Sequence, residues 1–178
     1  YADRFFPGTS VLHTRLRYAL FVPWMYEALS NRKITGPVQR LVEREELRLV
    51  KRLQGAGEGI IGGTKWPDSS QQPPSVVYWS ALCTWGIVRT RPDGRPYSRR
   101  EVHARLASSS RQTDDDGTPR GDIDPPFIAL PSMRETWDGS SSLGFDLSRS
   151  EAKFIQQRWD ATPCCTDPSR ESLLARLA

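Results

Sequence analysis

Six arginines lie between residues 89 and 105, and their side chains are the ones in this sequence best suited to bind a ligand. Guanidinium groups donate paired hydrogen bonds to phosphate oxygens, so a cluster of them is typical of a surface that binds a polyanion. Only two acids, Asp93 and Glu101, lie in the segment, which gives it a local charge of +4, equal to the formal charge of the whole 178-residue chain. The candidate nucleic-acid-binding residues are Arg89, Arg91, Arg95, Arg99, Arg100 and Arg105. A solvated arginine-rich turn is the alternative interpretation.

Carboxylates offer a second, weaker chemistry. A metal-dependent nuclease needs acids that converge on a metal ion, often beside a lysine. Glu58 or Asp68 near Lys65 is the local group of this kind, and it makes a nuclease one alternative function. The acids between residues 114 and 124 resemble divalent-cation ligands, but they lack the full calcium-loop pattern, so this stretch is predicted to be an exposed linker. No catalytic residue, metal site or cofactor is assigned.

Cysteine and histidine are too sparse for most of their usual sites. The chain has three cysteines, Cys83, Cys164 and Cys165, and two histidines, His13 and His103, without the spacing of a zinc site. Cys83 lies in an apolar stretch, where a thiol is usually an inert, small hydrophobic group. Without a disulfide framework, a signal peptide or a bilayer-length apolar segment, the sequence predicts a cytoplasmic protein.

The arginine segment follows an apolar helix that is predicted to begin at Pro74 and end at Gly86. Residues 87–90 are predicted to be extended, and Pro92-Asp93-Gly94 is a turn signal. Ser98 and Glu101 have the spacing of a capping box, which places a further helix over residues 99–107. Helix, glycine, strand, turn, strand and helix follow one another in the order of a winged helix, with a short β-hairpin.

Helices also dominate the predictions on either side. Thr9 or Ser10 caps a first helix that Pro23 kinks, with His13, Arg15 and Arg17 at its polar positions.

A second helix begins at Gly36-Pro37, and Glu43, Glu45, Glu46 and Arg52 are predicted to lie on its solvated face. Residues 55–63 form a glycine-rich connector with a short strand at Ile60-Ile61, and they lack the residue order of a phosphate-binding loop.

Ser148 and Glu151 form a second capping box, and a last helix is predicted to begin at Asp167-Pro168. The fold class is therefore mainly α, a helical domain with a winged-helix-like centre and long polar loops. We divide the chain into a helical domain over residues 1–107, a polar linker over 108–126, and a C-terminal helical segment over 127–178 that packs on the first.

Several motifs resemble one known family. The motifs are Phe6-Pro7-Gly8-Thr9-Ser10, His13-Thr14-Arg15-Leu16-Arg17-Tyr18, Phe21-Val22-Pro23-Trp24, Pro74-Ser75, Tyr78-Trp79-Ser80-Ala81-Leu82, Trp85-Gly86-Ile87, and Leu147 with Glu151-Ala152 and Phe154. The sequence is similar in these patches to an uncharacterised bacterial family encoded beside phospholipase-D-like and helicase genes in phage-defence neighbourhoods. Its members extend beyond both ends of this sequence, so we expect a fragment of a longer protein.

The resemblance implies a defence-associated role and carries no established catalytic residues. Together with the arginine segment, it leads us to expect a non-catalytic DNA-binding or scaffolding component of an antiphage defence system. Its expected partners are nucleic acid, most simply duplex DNA, and defence proteins such as a helicase or a phospholipase-D-like nuclease, with no membrane. A protein-interaction module that binds an acidic partner surface is the main alternative.

Overall fold

The computed structural model describes residues 5–32, 34–62, 72–109, 126–164 and 167–177, and it is mainly helical, as the sequence predicts. In chain order the elements are α1 (Tyr18–Ser30), α2 (Val38–Leu53), α3 (Pro74–Val77), α4 (Trp79–Thr84), α5 (Arg99–Ser109), α6 (Arg149–Asp160), β1 (Pro163–Cys164), β2 (Asp167–Glu171) and α7 (Leu173–Leu177). One hydrophobic core contains residues from Tyr18 to Leu174, so the N-terminal and C-terminal parts pack together. The linker predicted over residues 108–126 lies largely outside the described residues.

The central element is α1, which is buried on all sides along residues 18–26. A helix that is apolar around its whole circumference belongs in the interior of a protein rather than on its surface. Helices α2, α3 and α5 pack against it. The helix begins at Tyr18, later than predicted, because residues 9–17 form turns and irregular structure instead. It runs through Pro23, which lies inside the helix.

Tryptophan side chains fasten irregular segments to this helical core. Each of four indole N–H groups donates a hydrogen bond to a segment distant in sequence. The acceptors are the carbonyl of Pro131 for Trp24, that of Tyr97 for Trp79 and that of Pro7 for Trp85, and the carboxylate of Glu45 for Trp137. A buried indole that keeps a partner contributes its large apolar area without the cost of an unpaired N–H.

Arg17 corrects one sequence prediction. Its side chain was expected at a polar position of the first helix, yet none of it is exposed. Its guanidinium donates to Glu135 at 2.8 Å, to Glu151 at 2.9 Å and to the carbonyl of Gly144 at 2.8 Å. The burial of Arg17 is explained by two carboxylates that come from more than a hundred residues away in the chain.

The solvated face predicted for α2 is also partly wrong. Glu45, Glu46 and Arg52 are buried. The loop over residues 131–147 covers Glu45 and Arg52, whereas Glu46 lies against the start of α3. Arg52 donates to the carbonyl of Trp137 at 2.6 Å and to that of Ser141 at 2.8 Å. Glu45 and Arg52 therefore bind the loop, and Glu46 binds the backbone N–H of Ser75.

Near the C-terminus one prediction is confirmed and one is wrong. Ser148 and Glu151 form the predicted capping box at the start of α6. Asp167, however, begins strand β2, which pairs antiparallel with β1, and the last helix starts only at Leu173. Ser172 explains this start, because its hydroxyl accepts from the backbone N–H of Ala175 at 3.1 Å. The strand predicted at Ile60-Ile61 is absent from the described residues.

Candidate functional site

A short hairpin over residues 89–97 presents the first arginines. An isolated bridge pairs Thr90 with Pro96, and Arg91 donates its backbone N–H to the carbonyl of Arg95 at 2.8 Å. Gly94 completes the turn with φ +80°, a conformation that glycine adopts without steric cost. The predicted local order of helix, glycine, extended piece, turn and helix is present here, while the winged-helix interpretation stays a prediction.

The three hairpin arginines have different surroundings. Arg91 is neutralised by Asp93, at 2.7 Å, and by Glu101, at 2.6 Å. Arg89 is half-buried and donates to the carbonyl of Phe127 at 3.0 Å. Arg95 has an exposed side chain and forms no ion pair among the described residues. Of the three, Arg95 is therefore the one most open to a ligand.

Glu101 also fixes the start of α5 relative to the hairpin. The Glu101 carboxylate accepts from the backbone N–H of Ser98 at 2.8 Å, and the Ser98 hydroxyl accepts from the backbone N–H of Glu101 at 3.3 Å. These two bonds confirm the predicted capping box. Hydrogen bonds from Ser98, followed by the charge of Arg91, lower the pKa of Glu101. The anionic Glu101 thus joins α5 to the hairpin through Arg91.

The three arginines of α5 also differ in their surroundings. Arg99 turns inward and donates to the hydroxyl of Ser75 at 3.1 Å. Arg105 lies 4.6 Å above the ring of Tyr97, a cation–π contact. Arg100 is exposed and, within the part of the chain that the structure describes, has no ion pair. The six candidate arginines therefore do not share one role, and Arg95 and Arg100 are the pair open to solvent.

A second polar cluster, which the sequence did not reveal, lies between α1, α2, α3 and α5. Ser75 donates its backbone N–H to the carboxylate of Glu46 at 2.9 Å, and its hydroxyl accepts from Arg99. The hydroxyl of Tyr26 lies 2.8 Å from Nε2 of His103. Glu46 and Ser75 are buried, so the cluster brings charged groups together away from bulk water.

Burial sets the proton affinities in this second cluster. It raises the pKa of Glu46, although the bonds to Ser75 and the charge of Arg99 act in the opposite direction. Burial also raises the pKa of Tyr26 and lowers the pKa of His103. The positive charge of Arg99 lowers the pKa of His103 further. Groups with shifted pKa values around a cleft are typical of functional sites, though structural networks share this property.

The other candidates for chemistry have simpler surroundings. His13 stacks on Tyr78 with the ring centroids 4.3 Å apart, and its Nε2 lies 3.0 Å from the carbonyl of Val77. Burial raises the pKa of the Cys83 thiol to about 11, so it remains protonated near neutral pH. These surroundings favour a packing role for both side chains.

Metal chemistry receives no geometric support from the described residues. Glu58 is exposed, whereas Asp68, Lys65 and the acids between residues 114 and 124 lie outside the described part of the chain. Within residues 5–32, 34–62, 72–109, 126–164 and 167–177, no three histidine, cysteine or acidic side chains are grouped so that they could hold a metal ion.

One sequence signal could have located the second cluster. Glu46 falls between Val42 and Leu49 on the apolar stripe of α2, and a carboxylate within such a stripe has to be paired or to face a cavity. The identity of its partners was not accessible from the sequence, because Ser75 and Arg99 come from other helices.

The fold and its polar clusters are those of a mainly helical protein, and a comparison with known families identifies the family to which it belongs. Residues 1–99 match a family described as "Family of unknown function (DUF6361)", so the chain belongs to that family. Comparisons with curated proteins and with solved structures found no match. Across the described ranges, no helix has both the length and the apolar character needed to cross a bilayer.

Proposed function

We propose that this protein is a non-catalytic DNA-binding or scaffolding component of a bacterial antiphage defence system, and that it binds nucleic-acid phosphates through Arg95 and Arg100. The observation that carries the proposal is that both guanidinium groups are exposed and lack an ion pair among the described residues. They lie on two elements, the hairpin and α5, that the ion pair between Arg91 and Glu101 joins.

Contacts of this kind give affinity without much choice of sequence. Arginines that meet phosphates position a protein on the duplex, and each neutralised phosphate releases counterions, so binding weakens as salt increases. Arg89 and Arg105 belong to the same basic segment and are half-buried. The defence role, the helicase and phospholipase-D-like partners, and the cytoplasmic location rest on the family resemblance and on the composition.

The test is a titration of fluorescently labelled duplex DNA with two double variants. Arg95→Ala with Arg100→Ala removes the proposed contacts. Arg40→Ala with Arg44→Ala is the matched control, because it removes two exposed arginines from α2 and so lowers the net charge equally. We expect the first variant to bind about tenfold or more weakly than the second, since two phosphate contacts are lost. Equal weakening in both variants would show that only net charge matters and would overturn the proposal.

A competition experiment separates the main alternative, a module that binds an acidic protein surface. Polyglutamate of matched charge should displace DNA poorly from a nucleic-acid-binding surface, because the duplex has the higher charge density and releases more condensed counterions when it binds. If polyglutamate binds the wild-type protein tightly and duplex DNA does not bind at low salt, the acidic-partner alternative replaces the proposed function.

A further inference from the structure

A cavity of about 320 Å³ lies where α2 faces the start of α3. Its volume is within the range of about 300–1,000 Å³ that is common for small-molecule sites. Its lining includes Glu46, Leu47, Val50, Ile61, Val76 and Arg99. A second cavity of about 420 Å³ shares the lining residues Ile61 and Gln72 with it.

The polar wall of this cavity holds an acceptor and a donor side by side. Glu46 accepts the backbone N–H of Ser75 at 2.9 Å, and Arg99 donates to the Ser75 hydroxyl at 3.1 Å. Ser75 is buried and therefore holds the carboxylate and the guanidinium at fixed positions. Within the described residues this is the one hydrogen bond of the Arg99 side chain, and most of its N–H donors have no partner there.

The remaining walls are mainly aliphatic, with Gln39, Glu43 and Gln72 as their polar side chains. Leu47, Val50, Ile61 and Val76 supply aliphatic surface, and Leu47 is 39% exposed. Apolar walls with a few fixed polar groups suit a flat ring that carries hydrogen-bonding groups along one edge. The aliphatic walls would contribute affinity through contact area, and Glu46 and Arg99 would select the hydrogen-bonding edge of the ring.

Guanine has the edge that this pair would select. It carries the 2-amino group and the ring N1–H as adjacent donors, which a carboxylate accepts together, and its O6 and N7 are the acceptors that arginine binds in pairs. Adenine places a ring acceptor where guanine has N1–H, so a carboxylate at that position would repel it. We propose that this cavity binds a guanine base, with Glu46 on its donor edge and Arg99 on O6.

The base can come from a free guanine nucleotide or from a guanine within a single strand. This inference goes beyond the proposed function and does not depend on it, because neither Arg95 nor Arg100 lines the cavity. It also assigns a role to Arg99, which turns inward rather than toward solvent: to donate to O6 of the base.

Calorimetry with the wild-type protein tests the proposal against guanosine, inosine and adenosine monophosphates. Inosine monophosphate lacks only the 2-amino group, so its binding should be about tenfold or more weaker than that of the guanine nucleotide. The same comparison between a guanine-containing single-stranded oligonucleotide and its hypoxanthine analogue reports on a base within a strand. Selectivity in either experiment supports the proposal and identifies the source of the base. Equal binding of all three nucleotides, or no binding of nucleotide and oligonucleotide, overturns it.

Variants locate the binding in this cavity. Glu46→Gln keeps an acceptor for the Ser75 N–H but removes the charge, and it should abolish the preference for guanine over inosine. Val76→Phe fills the cavity without changing a charge and should prevent binding. Glu58→Gln, an exposed carboxylate outside the cavity, is the matched control and should bind normally. If Glu46→Gln and Val76→Phe, with wild-type circular dichroism, bind guanine nucleotide as tightly as Glu58→Gln does, the site assignment is wrong.

Discussion

Arg17 and Arg95 carry the same guanidinium group in opposite surroundings. Arg17 is fully buried and donates to Glu135, Glu151 and a backbone carbonyl, whereas Arg95 is exposed in the hairpin and has no ion pair among the described residues. Arg17 lies outside the segment of highest positive charge, and Arg95 lies inside it. The role of each arginine thus depends on the acids that the fold brings to it, rather than on the local density of charge in the sequence.

The largest difference between these two arginines should appear in stability. Arg17→Met leaves Glu135 and Glu151 without their cation, and we expect a loss of about 3–5 kcal/mol in the free energy of unfolding. Arg95→Met makes the same chemical change at an exposed position and should alter it by less than about 0.5 kcal/mol. Urea unfolding followed by circular dichroism measures both values. Similar losses in the two variants would contradict the contrast.

Acid should weaken the buried region in a defined direction. Partial burial opposes ionisation of Glu135, but the hydrogen bonds and charge of Arg17 prevail and hold the pKa of this carboxyl below its usual value of 4.5. Because the folded-state pKa is the lower one, this carboxylate contributes stability above the unfolded pKa and loses it as pH falls through the folded pKa.

The measurement is the urea midpoint from about pH 6 to about pH 3, for the wild type and for Glu135→Gln. The variant should be less stable at the upper end and should lose less stability as pH falls. A parallel decline in both proteins would mean that Glu135 does not contribute to the acid sensitivity.

A smaller effect is expected at the exposed region, where Arg91 lies between the two extremes. Asp93→Asn with Glu101→Gln should release Arg91 from its carboxylates and tighten duplex DNA binding by roughly twofold to fivefold. Asparagine retains the acceptor for the backbone N–H of Arg95, and glutamine is compatible with the capping box. The same double variant combined with Arg91→Ala is the control and should lose most of the gain. Unchanged affinity in the first variant would exclude Arg91 as a latent contact.

Local signals account for what the sequence predicted well. The capping boxes at Ser98 and Ser148, the turn at Gly94 and the long helix α2 each depend on residues a few positions apart, so their spacing was enough. The predicted start of the last helix was wrong because residues 167–171 form strand β2 and pair with β1, which propensity alone does not reveal.

Contacts between distant segments account for the rest. Glu46 was assigned to solvent because its helical neighbours include cations, but Ser75 and Arg99 reach it from α3 and α5. Arg17 was assigned to a polar position because its two acids are more than a hundred residues away. In the candidate site, the arginines were identified by composition, whereas their division into exposed, paired and inward-facing groups required the fold.

The most direct test of the central claim, that Arg95 and Arg100 contact phosphate, is the salt dependence of duplex DNA binding by the wild type and by the Arg95→Ala, Arg100→Ala variant. Each phosphate contact adds about 0.9 to the slope of log affinity against log salt concentration. We predict that the slope of the variant is shallower by about 1.8. A variant slope identical to that of the wild type would contradict the claim.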